Sequence, residues 1–325
     1  MENITVIGAG LSGLAFTEKL RAGNPTLKIT LIDKNKYYFS RLEVITHPGD
    51  ISRRIDLAEW ANKLNIEFIQ AQVERINPNR KRIFFKKAEP CEYEAVVLAT
   101  GLKSRKIEVK GDHREGFFYL SQIDPLKLKD LLRISHEATV CVSSWLGIRL
   151  VISLINLGKE VNLVADNLDF LNGHKEKLIE LLEAKKVKFY LGVNIEEAVG
   201  EGMVKAVKIL PLKVFSSQLV FIDSGFIANH DFFEEEIVIV NNFLTKYKSL
   251  YFLGDVLRKG INQEHFFVHD QDNVRDEAQA LSNFILKGEE IVFKERLIDD
   301  LEETAAIDKF MSELGVAQTE DIKNL

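Results

Sequence analysis

An α/β fold built on two parallel sheets is the architecture this sequence predicts, and three observations predict it. First, the apolar β-branched run Ile4-Thr5-Val6-Ile7 leads into Gly8-Ala9-Gly10-Leu11-Ser12-Gly13, then into a helix-compatible stretch over 14–20 and a second strand pattern over 28–32 closed by Asp33. Second, a β-α-β-α-β alternation starts again near residue 138. Third, an apolar strand returns late in the chain and ends in Leu253-Gly254-Asp255.

The first stretch has the spacing G-x-G-x-x-G between strand and helix, with an acid 20 residues beyond the last glycine. This is the fingerprint of a Rossmann-like dinucleotide site. Gly8 permits a tight turn, Gly10 lets backbone approach a pyrophosphate, and Gly13 lets helix and strand pack closely. Leu11 and Ser12 open the helix, whose free N–H groups and positive dipole end face the phosphates. Asp33 is placed to accept hydrogen bonds from ribose hydroxyls. Lys34 beside it, and Arg41 shortly after, lie within reach of the same ligand.

With 325 residues the chain has room for two domains and an ample core. Its net charge of −6 speaks against a nucleic-acid surface. No run approaches the roughly 20 apolar residues of a membrane span, and the first residues lack the pattern of a signal peptide. Cys91 and Cys141 form no CxxC pair, so neither a disulfide framework nor a structural metal site is expected. These features suit a cytoplasmic protein, with attachment at a membrane surface left open.

Along the chain, residues 55–64 read as a helix, and 66–73 and 82–86 as strands around the turn Asn77-Pro78-Asn79. Residues 93–98 read as a buried strand ending in Ala99-Thr100-Gly101. After a polar linker at 103–116, helices are expected at 124–135, 146–157 and 175–185. Strands are expected at 138–142, 160–164, 187–191, 204–209 and 218–222. Asp272 is a candidate N-cap for a helix over 272–286. The tail from Lys294 reads as helical and carries nine acids against four bases, the reverse of a basic membrane anchor.

Gly8/Gly10/Gly13 with Asp33, Leu98-Ala99-Thr100-Gly101 and Leu253-Gly254-Asp255 together make a set. In this order the set resembles the flavoproteins with two dinucleotide-binding domains, the pyridine nucleotide-disulfide oxidoreductase superfamily. The resemblance covers about residues 1–290. It implies an FAD-binding domain of residues 1–110 and 240–290, with an NAD(P)-binding-like domain of 111–239 inserted in it and a helical acidic tail of 291–325. It also implies that the first motif holds the FAD pyrophosphate and ribose, that Thr100 and Gly101 cross between the domains, and that Gly254-Asp255 meets the ribityl chain. The helix over 272–286 would point its N-terminus at the flavin. No redox cysteine pair lies near the first helix, which sets the chain apart from the disulfide reductases. Residues 33–39 and 275–280 are instead similar to type II NADH dehydrogenases and apoptosis-inducing-factor-like oxidoreductases. That likeness implies two-electron transfer through FAD to a quinone, another small acceptor or a redox protein partner, with a homodimer as a further assembly to consider.

The second domain departs from this pattern. Its glycine motif falls on Val142-Ser143-Ser144-Trp145-Leu146-Gly147-Ile148-Arg149, where only Gly147 keeps its glycine. The quinone-reducing relatives usually have a glutamate where Arg149 stands, and Ala165 closes the second strand where an acid is common. Two readings follow. Ser144, Gly147 and Arg149 form a modified nicotinamide site, or the domain has kept its fold and lost NAD(P)H. In the second case the protein is a flavin-binding regulatory or electron-transfer partner. Among other residues, Glu43 has an ordinary surface ion pair as its alternative role. Tyr37, Tyr38 and Phe39 either cover the adenine or, more simply, fill core, and Trp145 either plugs the nicotinamide cleft or simply packs. His47, His265 and His269 are candidate proton carriers with no metal spacing.

Overall fold

The computed structural model describes residues 2–210, 213–233, 239–241, 243–257, 271–291, 307 and 309–312. In chain order, β1 (Asn3–Ile7), α1 (Leu11–Gly23) and β2 (Lys28–Asp33) are followed by α2 (Arg41–Thr46), α3 (Leu57–Lys63), β3 (Glu67–Gln70) and β4 (Ala95–Leu98). Next come β5 (Phe117–Tyr119), α4 (Pro125–Ile134), β6 (Glu137–Cys141), α5 (Trp145–Asn156), β7 (Glu160–Ala165), α6 (Lys175–Ala184), β8 (Lys188–Leu191) and β9 (Leu219–Ile222). The described part then returns through β10 (Ile239–Asn241), β11 (Leu244–Thr245), β12 (Leu250–Phe252) and α7 (Gln271–Lys287).

Two sheets organise these elements. One has seven strands in the order β10-β11-β12-β4-β1-β2-β3, and the other has five in the order β5-β9-β6-β7-β8. The central pairs are parallel in both: β1 with β2 and β4, and β6 with β7 and β9. Ile4, Val6, Val96, Val97, Val140, Leu163 and Phe221 are fully buried, as strands covered on both faces require. Helices pack on one face, and the small antiparallel sheets of residues 73–92 and 195–216 on the other. Helices α1 and α7 pack together on one face of the first sheet, with Leu14, Phe16, Leu20, Ala278 and Leu281 in one apolar cluster. The second core gathers Val140, Ile148, Val151, Leu154 and Phe221. It also takes in Ile45 of α2 and, from the far end of the chain, Ile307 and Met311. Ser153 of α5 donates to the Thr46 carbonyl at 3.0 Å, so α2 packs on the helical layer of the second sheet.

Most strand and helix positions follow the apolar pattern, and the departures have local causes. Residues 55–56 are not helical: Ile55 and Asp56 pair with Tyr37 and Tyr38, and Asp56 caps α3 by accepting from the amides of Ala58 and Glu59. Strand 66–73 is two pieces, β3 and a strand that begins at Val73. The helix α2, six residues long, is too short to carry a periodic signal in the sequence. Helix α7 begins at Gln271, so Asp272 lies within it rather than at its cap. His265, His269 and most of the acidic tail lie outside the described residues.

Candidate functional site

The loop after β1 has the geometry its glycines predict. Gly8 adopts φ +103°, and a Cβ there would overlap the Ala99 carbonyl at the end of β4. A Cβ on Gly13 would overlap the Gly8 carbonyl, so this glycine sets the approach of α1 to β1. Gly10 differs: a Cβ there meets no protein atom within 4 Å. Its bareness serves open space at the mouth of the loop. Helix α1 starts immediately after Gly10 with no side-chain cap, which leaves its first amides facing that space. Asp33 borders the space, accepting from the amide of Ala9 at 2.7 Å and of Asn35 at 2.8 Å. Each carboxylate oxygen retains a lone pair for a further donor. Lys34 is exposed beside it.

The other two motifs close on this loop. Gly254 adopts φ +76°, and a Cβ on it would overlap the side chain of Ser12, so Leu253-Gly254-Asp255 rests on the first turn of α1. Gly101 adopts φ +61°, and its carbonyl accepts from the Asn229 amide at 2.9 Å. Thr100 Oγ1 donates to the Asn229 carbonyl at 2.6 Å. Helix α2 separates two residues that read alike in sequence. Glu43 turns outward into an exposed pair with Arg53 at 2.8 Å. Arg41 turns inward, donates to the Leu102 carbonyl at 3.1 Å and lies over the Phe226 ring. Burial pulls the Arg41 guanidinium below its ordinary pKa, while the charge of Asp255 and the Tyr38 phenol hold it up. Arg41 and Asp255, 214 positions apart, thus act on each other electrostatically.

The corresponding loop of the second sheet is built differently. Ser144 caps α5 through the amide of Leu146 at 3.3 Å. Its Oγ also donates to Asp223 Oδ2 at 2.7 Å. The Ser143 amide donates to the same oxygen at 3.1 Å, and Ser143 Oγ donates to the Asp223 carbonyl at 2.6 Å. A Cβ on Gly147 would lie 2.8 Å from that oxygen. Asp223 is 1% exposed, and its other carboxylate oxygen has no hydrogen-bond partner. Trp145 is packed, with Phe170, His174 and Phe310 set edge-on around it. The Arg149 guanidinium lies 5.2 Å from the centre of the Phe310 ring. The structure therefore brings Ser144 and Gly147 to Asp223, and Arg149 to the tail.

Burial raises the Asp223 carboxyl above the ordinary carboxylate value, against the opposing pull of its Ser144 and Ser143 hydrogen bonds. A carboxyl with a raised native pKa binds its proton more tightly folded than unfolded, so stability falls as pH rises through that window. Asp223→Asn removes the titration. Urea unfolding of both proteins from about pH 4 to pH 8 should show the difference in stability moving in the variant's favour as pH rises. Parallel curves would mean that Asp223 does not titrate differently in the two states.

Asp223 escaped the reading of the sequence. Its signal was an acid directly after the apolar run Leu219-Val220-Phe221-Ile222, ahead of Gly225, where Ala99 precedes Gly101 in the first unit. The thiols are quiet by comparison. Burial, with Asp223 nearby, pushes Cys141 up to about 12, and burial raises Cys91 as well, so neither is an activated nucleophile. His47 is exposed and meets Thr46 Oγ1 at 3.0 Å. Among the described residues no cluster of three or more metal-ligating side chains occurs, and no helix is long and apolar enough to cross a membrane.

Two sheets with parallel strands at their centres, each carrying a strand–loop–helix, define a Rossmann-type oxidoreductase fold. The chain belongs to the pyridine nucleotide-disulphide oxidoreductase family, whose pattern matches residues 2–268. That family uses FAD and NAD(P)H, and by this membership the chain is an FAD-dependent oxidoreductase. It is 29% identical over 269 residues to NADH-rubredoxin oxidoreductase of Clostridium acetobutylicum, covering 78% of this chain and 67% of that one. It is 25% identical to Apoptosis-inducing factor 3 of Homo sapiens over 69% of this chain but 38% of that protein, so it spans well under half of this second relative. Putidaredoxin reductase, solved in covalent complex with putidaredoxin, shares the fold. Its TM-score is 0.72 at 17% identity, over 90% of this chain and 77% of that one.

Proposed function

We propose that the chain holds FAD on the β1–α1 loop and passes two electrons through it to a redox protein or a quinone. The observation that carries this is the convergence of three distant motifs around one open space: Gly10 with nothing opposite it and Asp33 at its side, Ala99-Thr100 set against Gly8, and Gly254-Asp255 seated on Ser12. The group fits. Gly10 and the uncapped first amides of α1 receive the pyrophosphate, Asp33 the adenosine ribose, and Asp255, steadied by Arg41, the ribityl chain. Leu11, Ser12, Gly13, Thr100 and Gly101 shape the walls, and Lys34 adds positive charge at the rim. FAD, once bound, supplies the redox chemistry, while the chain contributes placement and charge. On this reading residues 1–110 and 240–290 form the FAD domain, 111–239 the second domain and 291–325 the tail. A redox-protein acceptor is favoured because two relatives are named for such partners, rubredoxin and putidaredoxin.

The test is anaerobic. The FAD-loaded protein is reduced with dithionite and mixed separately with oxidised rubredoxin, an oxidised ferredoxin and a short-chain quinone. Return of the oxidised flavin spectrum with one of them, dependent on its concentration, is the expected result. A flavin that none of them reoxidises would refute the electron-transfer reading and favour a regulatory flavin-binding protein.

A further inference from the structure

The two sheets can be superposed by their hydrogen-bond registers, which makes the two loops comparable residue by residue. In the first, Ile7 pairs with Ile32 and with Leu98, and the Gly8 amide donates to Ile32 O at 2.8 Å. In the second, Cys141 pairs with Val164 and with Ile222, and the Val142 amide donates to Val164 O at 2.8 Å. Val142 therefore corresponds to Gly8, Ser143 to Ala9, Ser144 to Gly10, Gly147 to Gly13, Ala165 to Asp33 and Asp223 to Ala99. The first loop has a methyl group at the end of the neighbouring strand and a carboxylate beyond the next. The second has these exchanged, with the carboxylate inside.

We infer that Asp223 is a built-in occupant of the second loop, and that the domain of residues 111–239 takes neither NADH nor NADPH. A dinucleotide pyrophosphate binds at the loop amides and the helix N-terminus that follow the central strand. Here two of those donors are engaged. The Ser143 amide is held by Asp223, as the Ala9 amide is by Asp33 in the first loop. The Leu146 amide is held by the capping hydroxyl of Ser144, which itself donates to Asp223. The difference lies in where the acid stands: Asp33 borders the first loop, whereas Asp223 lies against the bare face of Gly147 inside the second. Carboxylate also fills the gap between loop and helix, because the bare face of Gly147 looks onto Asp223 Oδ2 and the Val142 side chain. Val142 and Ser144 add side chains where the first loop has none. An incoming pyrophosphate would meet a carboxyl group where the first loop has open space, and an ionised Asp223 beside it would set like charges side by side. The tail covers the same helix end from outside: Phe310 packs on Trp145, and Ile307 and Met311 join the core beside it. Electrons consequently enter from a donor that does not use this loop, which separates the chain from the NADH-rubredoxin oxidoreductase it resembles.

The inference goes beyond the FAD reading, and the experiment keeps the two apart. FAD content is measured first, since FAD-free protein counts against the proposed function alone. Calorimetric titration with NADH and with NADPH then asks about the second domain directly, whether or not flavin is present. No saturable heat up to about 1 mM nucleotide is expected, together with no anaerobic bleaching of the flavin by either nucleotide. Saturable binding of either nucleotide, or bleaching, overturns the inference. A variant carrying Val142→Gly, Ser144→Gly and Asp223→Ala copies the first loop's glycines and small residue. Gain of nucleotide binding in it supports the role of Asp223. A folded variant with unchanged circular dichroism that still ignores both nucleotides counts against that role. Should the variant fail to fold, the titrations of the parent protein still decide the matter.

Discussion

Gly10→Ala is expected to leave the fold intact and to cost the protein its flavin. Gly10 has φ −76° and ψ −177°, an extended conformation that alanine adopts without strain. Its added Cβ meets nothing in the protein, so stability should change by less than about 1 kcal/mol. All of the new bulk falls in the space assigned to the pyrophosphate. FAD affinity should drop about 100-fold, or about 3 kcal/mol, read by fluorescence titration of the FAD-depleted protein. Equal FAD affinity in parent and variant would show that the ligand does not approach this glycine.

Gly13→Ala is expected to do the opposite, damaging the fold first. Alanine is the better helix former by about 1 kcal/mol, so helix propensity alone would stabilise α1. The Cβ, however, falls on the Gly8 backbone carbonyl, which cannot rotate away as a side chain can. To relieve it, α1 must draw back from β1 and disturb its packing with α7. A net loss of about 3 kcal/mol or more is expected, measured as a shift in the urea midpoint at constant m. An unchanged midpoint would mean that α1 sits farther from β1 than described. The two variants together separate a glycine needed by the ligand from one needed by the fold.

Much of this was legible in sequence because it is local. A strand, three glycines and a helix are neighbours in the chain, and their spacing encodes their geometry directly. Asp33 and the Gly254-Asp255 turn were legible for a different reason: each stands at the end of an apolar run, where a parallel sheet delivers its functional residues. What was hidden depends on distant pairing. Asp223 lies 80 positions from Ser143, and only the parallel register of β9 beside β6 brings them together. The opposite fates of Arg41 and Glu43 depend on how α2 turns, in a helix too short for periodicity to fix its face. Trp145 read equally well as a plug or as core, and Phe310, 165 positions away, is part of what makes it core.

An FAD cradle on the first loop fixes the FAD content of the purified protein. The protein is incubated with excess FAD, freed of unbound cofactor and denatured, and the released flavin is counted against chain. One FAD per chain, retained through gel filtration and lost in Gly10→Ala, is the result this geometry predicts. A parent protein that retains no FAD, while folded by circular dichroism, would contradict it.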